Sequence, residues 1–293
     1  MKKLLLLQFI LLFIVVTSVA QEVSVIVSPQ WVKDNMANNP SLVILQTNFL
    51  RLDYASEHIN GARYLWPDWL AANSPEGNFN PPDQNTLTKA LQELGINKDS
   101  KIVLCHTKTD VSVTARMFLT LEYAGLKGNV YFLNGGLEAW KKAGYPVTKD
   151  IPAVKKGNFK AAINPVIVDK NYVLQSLQSS SSVVVDARAK RFYDGDPTGN
   201  PRDGHITGAK NLPYADLIDS TSTIKPPADL ATYFQTVIPN KENEIVTYCF
   251  IGQTASVIYL TGRSLGYHVK LYDGSMQEWS RLNDLPMEKT KKD

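Results

Sequence analysis

Apolar and polar positions along the chain fall into two alternating kinds of stretch. Short, mainly apolar runs occur at Leu42–Leu45, Ile102–Leu104, Val130–Leu133, Val183–Val185, Ile245–Tyr248 and Val269–Tyr272, interrupted only by Thr247 and Lys270. Runs of this length, rich in β-branched residues and bounded by polar residues, predict strands buried on both faces. Between them lie segments of helical character such as Thr114–Tyr123 and Thr254–Leu265. Strands alternating with helices predict an α/β fold with a parallel sheet flanked by helices. In such sheets ligands sit beyond the C-terminal strand ends.

The pattern occurs twice. "VIVSPQWVKDN" (25–35) matches "VIVDKNYVLQS" (166–176), and each passes from an apolar run to a helix cap, Ser28 or Asp169. Ser28 followed by Pro29 is a good cap and first-turn pair. "EHINGARYL" (57–65) matches "GHITGAKNL" (204–212), "KIVLCH" (101–106) matches "EIVTYC" (244–249), and "VYFLNGGLEAW" (130–140) matches "VKLYDGSMQEW" (269–279). Four blocks in one order describe a duplicated unit of about 130 residues. The stretch 146–165, with Pro, Gly and Lys and little periodicity, reads as a surface linker. We therefore divide the chain into residues 21–150 and 151–293, the linker going with the second unit.

Residues 1–20 stand apart. A basic start at Lys2 and Lys3, an apolar run and a small-residue site ending at Ala20 read as a cleaved signal peptide, with Gln21 as the new N-terminus. The apolar run is short for a bilayer, which needs about 20 residues. The expectation is an exported protein, periplasmic if the source is Gram-negative, with no stable membrane association after cleavage. The formal charge of +3 includes the two leader lysines and no leader acid, so the remainder carries +1. A nearly neutral chain offers no electrostatic case for nucleic acid. Its two cysteines and four histidines show no metal-ligand spacing, and no cofactor motif is present, so neither a metal nor a cofactor is expected.

The candidate chemistry lies in "VTYCFIGQTAS" (246–256). Cys249 ends an apolar strand, and a helix is expected to start near Thr254. Backbone N–H groups of Phe250, Ile251, Gly252, Gln253 and Thr254 can turn toward the sulfur, and the helix N-terminus adds partial positive charge. Both favour thiolate over thiol. Gly252 would permit backbone geometry that a Cβ resists. The plain alternative is a small apolar core cysteine, since free cysteines are among the most buried residues. A second alternative, phosphate-ester hydrolysis, needs Cys-x5-Arg so that a guanidinium grips the phosphoryl oxygens. Here that place is Ala255.

On "EHINGAR", "LNGGLEAWKKAGYPV", "VVDARAKRFYDG", "RDGHITGAKNLPY", "TYCFIGQTA" and "LYDGSMQEW", the chain resembles the tandem-domain sulfurtransferases of the rhodanese family over essentially all of residues 23–290. The resemblance implies two rhodanese-like α/β domains, the first non-catalytic, with Cys249 opening a six-residue active loop. It implies sulfur transfer through a Cys249 persulfide, from a small anionic donor such as thiosulfate or 3-mercaptopyruvate to a thiol, cyanide or reduced dithiol protein. A non-enzymatic persulfide or partner-binding module, and a phosphatase-like hydrolase on the same fold, are the alternatives.

Other residues are weighed against that reading. Arg188, in "VVDARAK", is the main anion-binding candidate, with Asp186 as an ion-pair partner the competing role. Arg191 follows three places on, where the family has its second arginine four places on. Phe250, Ile251, Gly252, Gln253 and Thr254 complete the substrate-binding set. Phe250-Ile251 stands where thiosulfate enzymes often carry Arg-Lys, so an apolar loop face suggests a bulkier or less charged donor, or an acceptor protein with an apolar patch. His106 occupies the place matching Cys249, followed by what reads as a loop three residues longer, up to Thr114. Cys105 falls one place earlier, is expected to point the other way along its strand, and a bridge to Cys249 would block the chemistry. His58 and His205 fall in matching turns and are assigned to the fold. Asp273 and Gly274 are assigned to a turn.

Overall fold

The computed structural model describes residues 24–74, 77–107 and 111–290. The expected leader lies outside the described residues. In the first half, β1 (Ile26–Val27), β2 (Leu42–Thr47), β3 (Arg63–Leu65), β4 (Lys101–His106) and β5 (Val130–Leu133) form one sheet in the order β1-β5-β4-β2-β3, all pairs parallel. In the second half, β6 (Ile167–Val168), β7 (Ser182–Asp186), β8 (Lys210–Asn211), β9 (Glu244–Tyr248) and β10 (Val269–Tyr272) repeat it as β6-β10-β9-β7-β8, again all parallel. The registers match as well. Gln46 lies opposite Cys105 in one sheet and Asp186 opposite Tyr248 in the other. Cys105 thus corresponds to Tyr248, and His106 to Cys249.

The helices relevant to the site are α1 (Pro29–Asn38), α2 (Gln84–Glu93), α3 (Val111–Leu121), α4 (Gly136–Lys142), α5 (Lys170–Leu177), α6 (Pro227–Val237), α7 (Ala255–Ser264) and α8 (Ser275–Trp279). The anticipated caps form: Ser28 Oγ accepts the Trp31 N–H and Asp169 accepts the Tyr172 N–H. One boundary differs from expectation. Among the described residues the helix after His106 already includes Val111, ahead of Thr114. Val111-Ser112-Val113, expected in the loop, are helical. The apolar alternation of that stretch suits helix as well as loop, which is why the pattern alone misplaced the start.

Helices α3 and α7 are buried nearly all round, from Val113 to Leu121 and from Ala255 to Gly262. A helix that is apolar on every side needs partners on every side. Each lies on its own sheet and packs against the other, so one core cluster runs through both halves, from Leu45 and Leu104 to Cys249 and Leu271. The C-terminal end of β9 leads through residues 249–254 into α7, placing the Cys249 loop beside the seam.

Residues 149–165 contain no helix or strand. They are nevertheless tied to the first half: Gly157 N–H donates to Gln92 O, Phe159 N–H to Ile96 O, and Gln92 Nε2 to Phe159 O. Phe159 and Ala161 are buried.

Candidate functional site

Cys249 is the first residue beyond β9, and its main chain is held on both sides by the start of α8. Its N–H donates to Ser275 Oγ at 3.1 Å, and its carbonyl accepts the Met276 N–H at 3.0 Å. Phe250 O accepts the Gln277 N–H at 2.9 Å. Ser275 Oγ also donates to Tyr272 O. From there to the helix the amides are open. The N–H groups of Phe250, Ile251, Gly252, Gln253, Thr254 and Ala255 find no acceptor among the described residues. Thr254 makes no side-chain cap for α7. Orphan amides at a helix N-terminus attract an anion, and here they follow directly on a thiol. Cys249 is covered, with 1% of its surface exposed, and its apolar neighbours belong to the shared core.

Gly252 has φ +80, a left-handed conformation that favours glycine. A Cβ there would lie 2.5 Å from Asp273 Oδ1 and 2.9 Å from Arg116 Nη1. These two residues form the floor beneath the loop. Arg116 on α3 donates from both Nη atoms to both Asp273 oxygens across the seam. Arg116 is fully buried and Asp273 nearly so. Asp273 is therefore not simply a turn residue, as its place in "YDGS" suggested; it joins the halves under the loop. Gln253 also reaches across, its Nε2 donating to Ser112 Oγ at 3.0 Å.

Arg188 is buried and largely occupied. Its Nε and Nη2 donate to the Asp186 carboxylate, and Nη2 also to Gly204 O. The fork expected to grip a donor anion is thus engaged inside the protein, because Asp186 two residues earlier presents both oxygens to it. Among the described residues, the buried Nη1 has no partner. Burial opposes the Arg188 charge, but the Asp186 hydrogen bond and charge, with contributions from Tyr248 and Cys249, outweigh it and raise its pKa. Its guanidinium lies over the Phe250 ring, 5.0 Å from the centroid, and Phe192 meets Phe250 edge-on. Arg191 is exposed and stacks on Phe192. Ile251 is partly buried against the shared core.

The same strand end in the first half holds His106 over Gly136, the counterpart of Ser275. Both turn residues are left-handed, at φ +54 and +48. A Cβ on Gly136 would lie 2.2 Å from His106 O and 2.8 Å from its ring. Cys105 is buried on the other face and, like Cys249, free. His58 and His205 bond main-chain carbonyls and stack on Tyr54 and Tyr193, the same arrangement in both halves. The residues that pattern reading missed are Ser275, Arg116 and the bridging role of Asp273. Two signals were available: Gly-to-Ser between "LNGG" and "YDGS", and a lone arginine inside the apolar run "VTARMFLTL".

Comparison with known proteins adds the following. The family model "Rhodanese-like domain" matches residues 28–143 and 169–282. The sulfur carrier protein TtuD of Thermus thermophilus is 29% identical over 286 residues, spanning 90% of this chain and 96% of that relative. The thiosulfate sulfurtransferase of Azotobacter vinelandii is 27% identical over 237 residues, spanning 80% of this chain and 87% of the relative. Among solved structures, SseA from Escherichia coli, described with the rhodanese fold and mechanism of 3-mercaptopyruvate sulfotransferases, superposes with a TM-score of 0.74 at 26% identity. That match covers 86% of this chain and 98% of the other.

Proposed function

Since this chain belongs to the rhodanese family, we propose that it is a sulfurtransferase in which Cys249 carries a sulfane sulfur from an anionic donor to a thiol or cyanide. The observation that carries this reading is the row of unpartnered amides from Phe250 to Ala255 following the Cys249 thiol. In the first step the Cys249 thiolate attacks the outer sulfur of the donor. With thiosulfate the S–S bond breaks and sulfite leaves with the electron pair; with 3-mercaptopyruvate the C–S bond breaks and the enolate of pyruvate takes a proton. The product on the protein is a Cys249 persulfide anion, which the open amides and the α7 N-terminus stabilise. In the second step cyanide or a thiolate attacks the terminal sulfur and leaves as thiocyanate or a persulfide, and the Cys249 thiolate returns.

Residues 21–150 act in this proposal as a non-catalytic partner, since His106 replaces the thiol, and residues 151–293 carry the reaction. Arg188 Nη1, buried and without a partner among the described residues, is the donor left for an anion, while Arg191 is exposed. Phe250, met edge-on by Phe192, and Ile251 give the loop two apolar side chains, which suits a larger donor or an acceptor protein with an apolar patch. Replacing Ile251 with Lys is expected to raise thiosulfate turnover, and an unchanged rate would remove the charge argument. Export belongs to the same proposal, on the leader at residues 1–20, and a mature N-terminus other than Gln21 would count against it.

The deciding experiment is intact mass after incubation with each donor. A gain of about 32 Da, one sulfur, is expected on the native protein and not on Cys249→Ser. Cys249→Ser should also abolish thiocyanate formation while shifting the melting temperature by less than about 3 °C. Turnover that survives the substitution would sink the assignment.

A further inference from the structure

The half without the reactive thiol carries a cavity of about 490 Å³. That is the size of an ordinary small-molecule site. Its lining includes Arg51, Arg63, Tyr64, Trp69, Leu94 and Val154, none of which belongs to the Cys249 loop. Tyr64 and Trp69 meet edge-on with centroids 5.8 Å apart and present aromatic wall. Leu94 closes the end of α2, and Val154 comes from the strap 149–165 laid along that helix. Trp69 and Val154 are each 39% exposed, a high fraction for such residues and one that leaves the wall open to an incoming ligand.

The charges in this cavity are unbalanced. Arg63 is half-buried, and its Nη1 donates only to the carbonyl of Leu94. No carboxylate pairs with Arg63 or Arg51 among the described residues. Arg51 lies over the Tyr64 ring, 5.9 Å from the centroid. The one acid of the lining, Glu93, is exposed and paired outward with Lys156 at 2.6 Å. A cation drawn out of water without a counter-charge is costly, and burial lowers the Arg63 pKa accordingly. The fold does not require this arrangement. The counterparts of Arg63 and Tyr64 are Lys210, which is exposed, and Asn211, which bonds the carbonyls of Asp186 and Arg188.

We propose that this cavity binds a small aromatic carboxylate, with the ring against Tyr64, Trp69 and Leu94 and the carboxylate on Arg63 and Arg51. Aromatic walls select a ring through edge and face contacts, and guanidinium groups select a planar carboxylate over a point anion. The site is independent of the persulfide reading, because no residue is shared.

The test is titration calorimetry of the full chain with 3-phenylpropionate and, as the uncharged control, 3-phenylpropanol. The acid is expected to bind with a Kd of about 1 mM or tighter and the alcohol at least about tenfold more weakly. Arg63→Gln, which can still donate to Leu94 O, should weaken the acid by about tenfold and leave the alcohol unchanged. Arg51→Gln, on an exposed side chain, gives the same direction with no risk to folding. Absence of acid binding, equal binding of acid and alcohol, or acid binding unchanged in both variants overturns the proposal.

Discussion

The ends of β4 and β9 are the same place in two copies of one unit, and they hold different things. In the first half His106 fills the position, stacked near Phe132 and fitted against a glycine that leaves it room. In the second, Cys249 takes the position and the glycine has become Ser275, whose hydroxyl accepts the Cys249 N–H. The serine keeps the left-handed backbone that suits glycine, which stores roughly 1 kcal/mol or more of strain. In the first half Gly136 takes the same backbone without a Cβ to strain it, and the arginine-lined cavity lies in that half.

The sharpest way to break this contrast is to remove what lies under the loop. Arg116→Met leaves Asp273 buried without its counter-charge and should cost about 3 kcal/mol in urea unfolding. The double variant Arg116→Met with Asp273→Asn should recover most of it. If it does not, the pair is not acting as a unit. Gly252→Ala should cost about 2 kcal/mol, through positive φ and contact with that pair. It should also lower kcat/KM for sulfur transfer by about tenfold, because the amides move. An equal kcat/KM in a destabilised protein would separate the loop from the chemistry.

Finer still is Ser275. Ser275→Gly relieves strain but removes two hydrogen bonds, from the Cys249 N–H and to Tyr272 O, so the net loss of stability should be about 1 kcal/mol while persulfide formation slows. Ser275→Ala loses the same two bonds and keeps the strain, and should be the less stable of the two. Identical melting curves would refute the strain argument.

The smallest effect concerns Cys105. Burial, with Glu138 adding to it, pushes this thiol far above its ordinary 9.0. The folded chain therefore keeps a proton that the unfolded chain releases, and stability falls as pH rises above about 9. Cys105→Ala should flatten that fall by about 1 kcal/mol per pH unit. A slope unaltered from the parent would mean that the thiol is not held in its neutral form.

Much of the fold was legible in the residues because it rests on local regularity. Apolar runs of strand length placed every strand of the two central sheets except the short edge strands, which have too few residues to carry a pattern. The repeat placed His106 opposite Cys249, and the strand registers agree. His58 and His205 were assigned to the fold because both copies have them, and both bond carbonyls. The floor of the site was not legible. Arg116 and Asp273 are 157 positions apart and lie in different copies, so no spacing rule relates them. Arg188 looked free for a ligand because its position at a strand end was visible and the orientation of the Asp186 carboxylate was not.

The chain's own order of residues determined the duplicated α/β unit, the single copy of the thiol loop and the short distance from Cys249 to a helix start. These follow from periodicity and turn chemistry, which act between near neighbours. Tertiary structure alone decided that α3 and α7 stack, that an ion pair from both copies supports Gly252, and that two arginines share a cavity whose one acid, Glu93, is paired outward with Lys156. Burial and charge pairing depend on which distant segments meet in space, and that is a property of the packed whole.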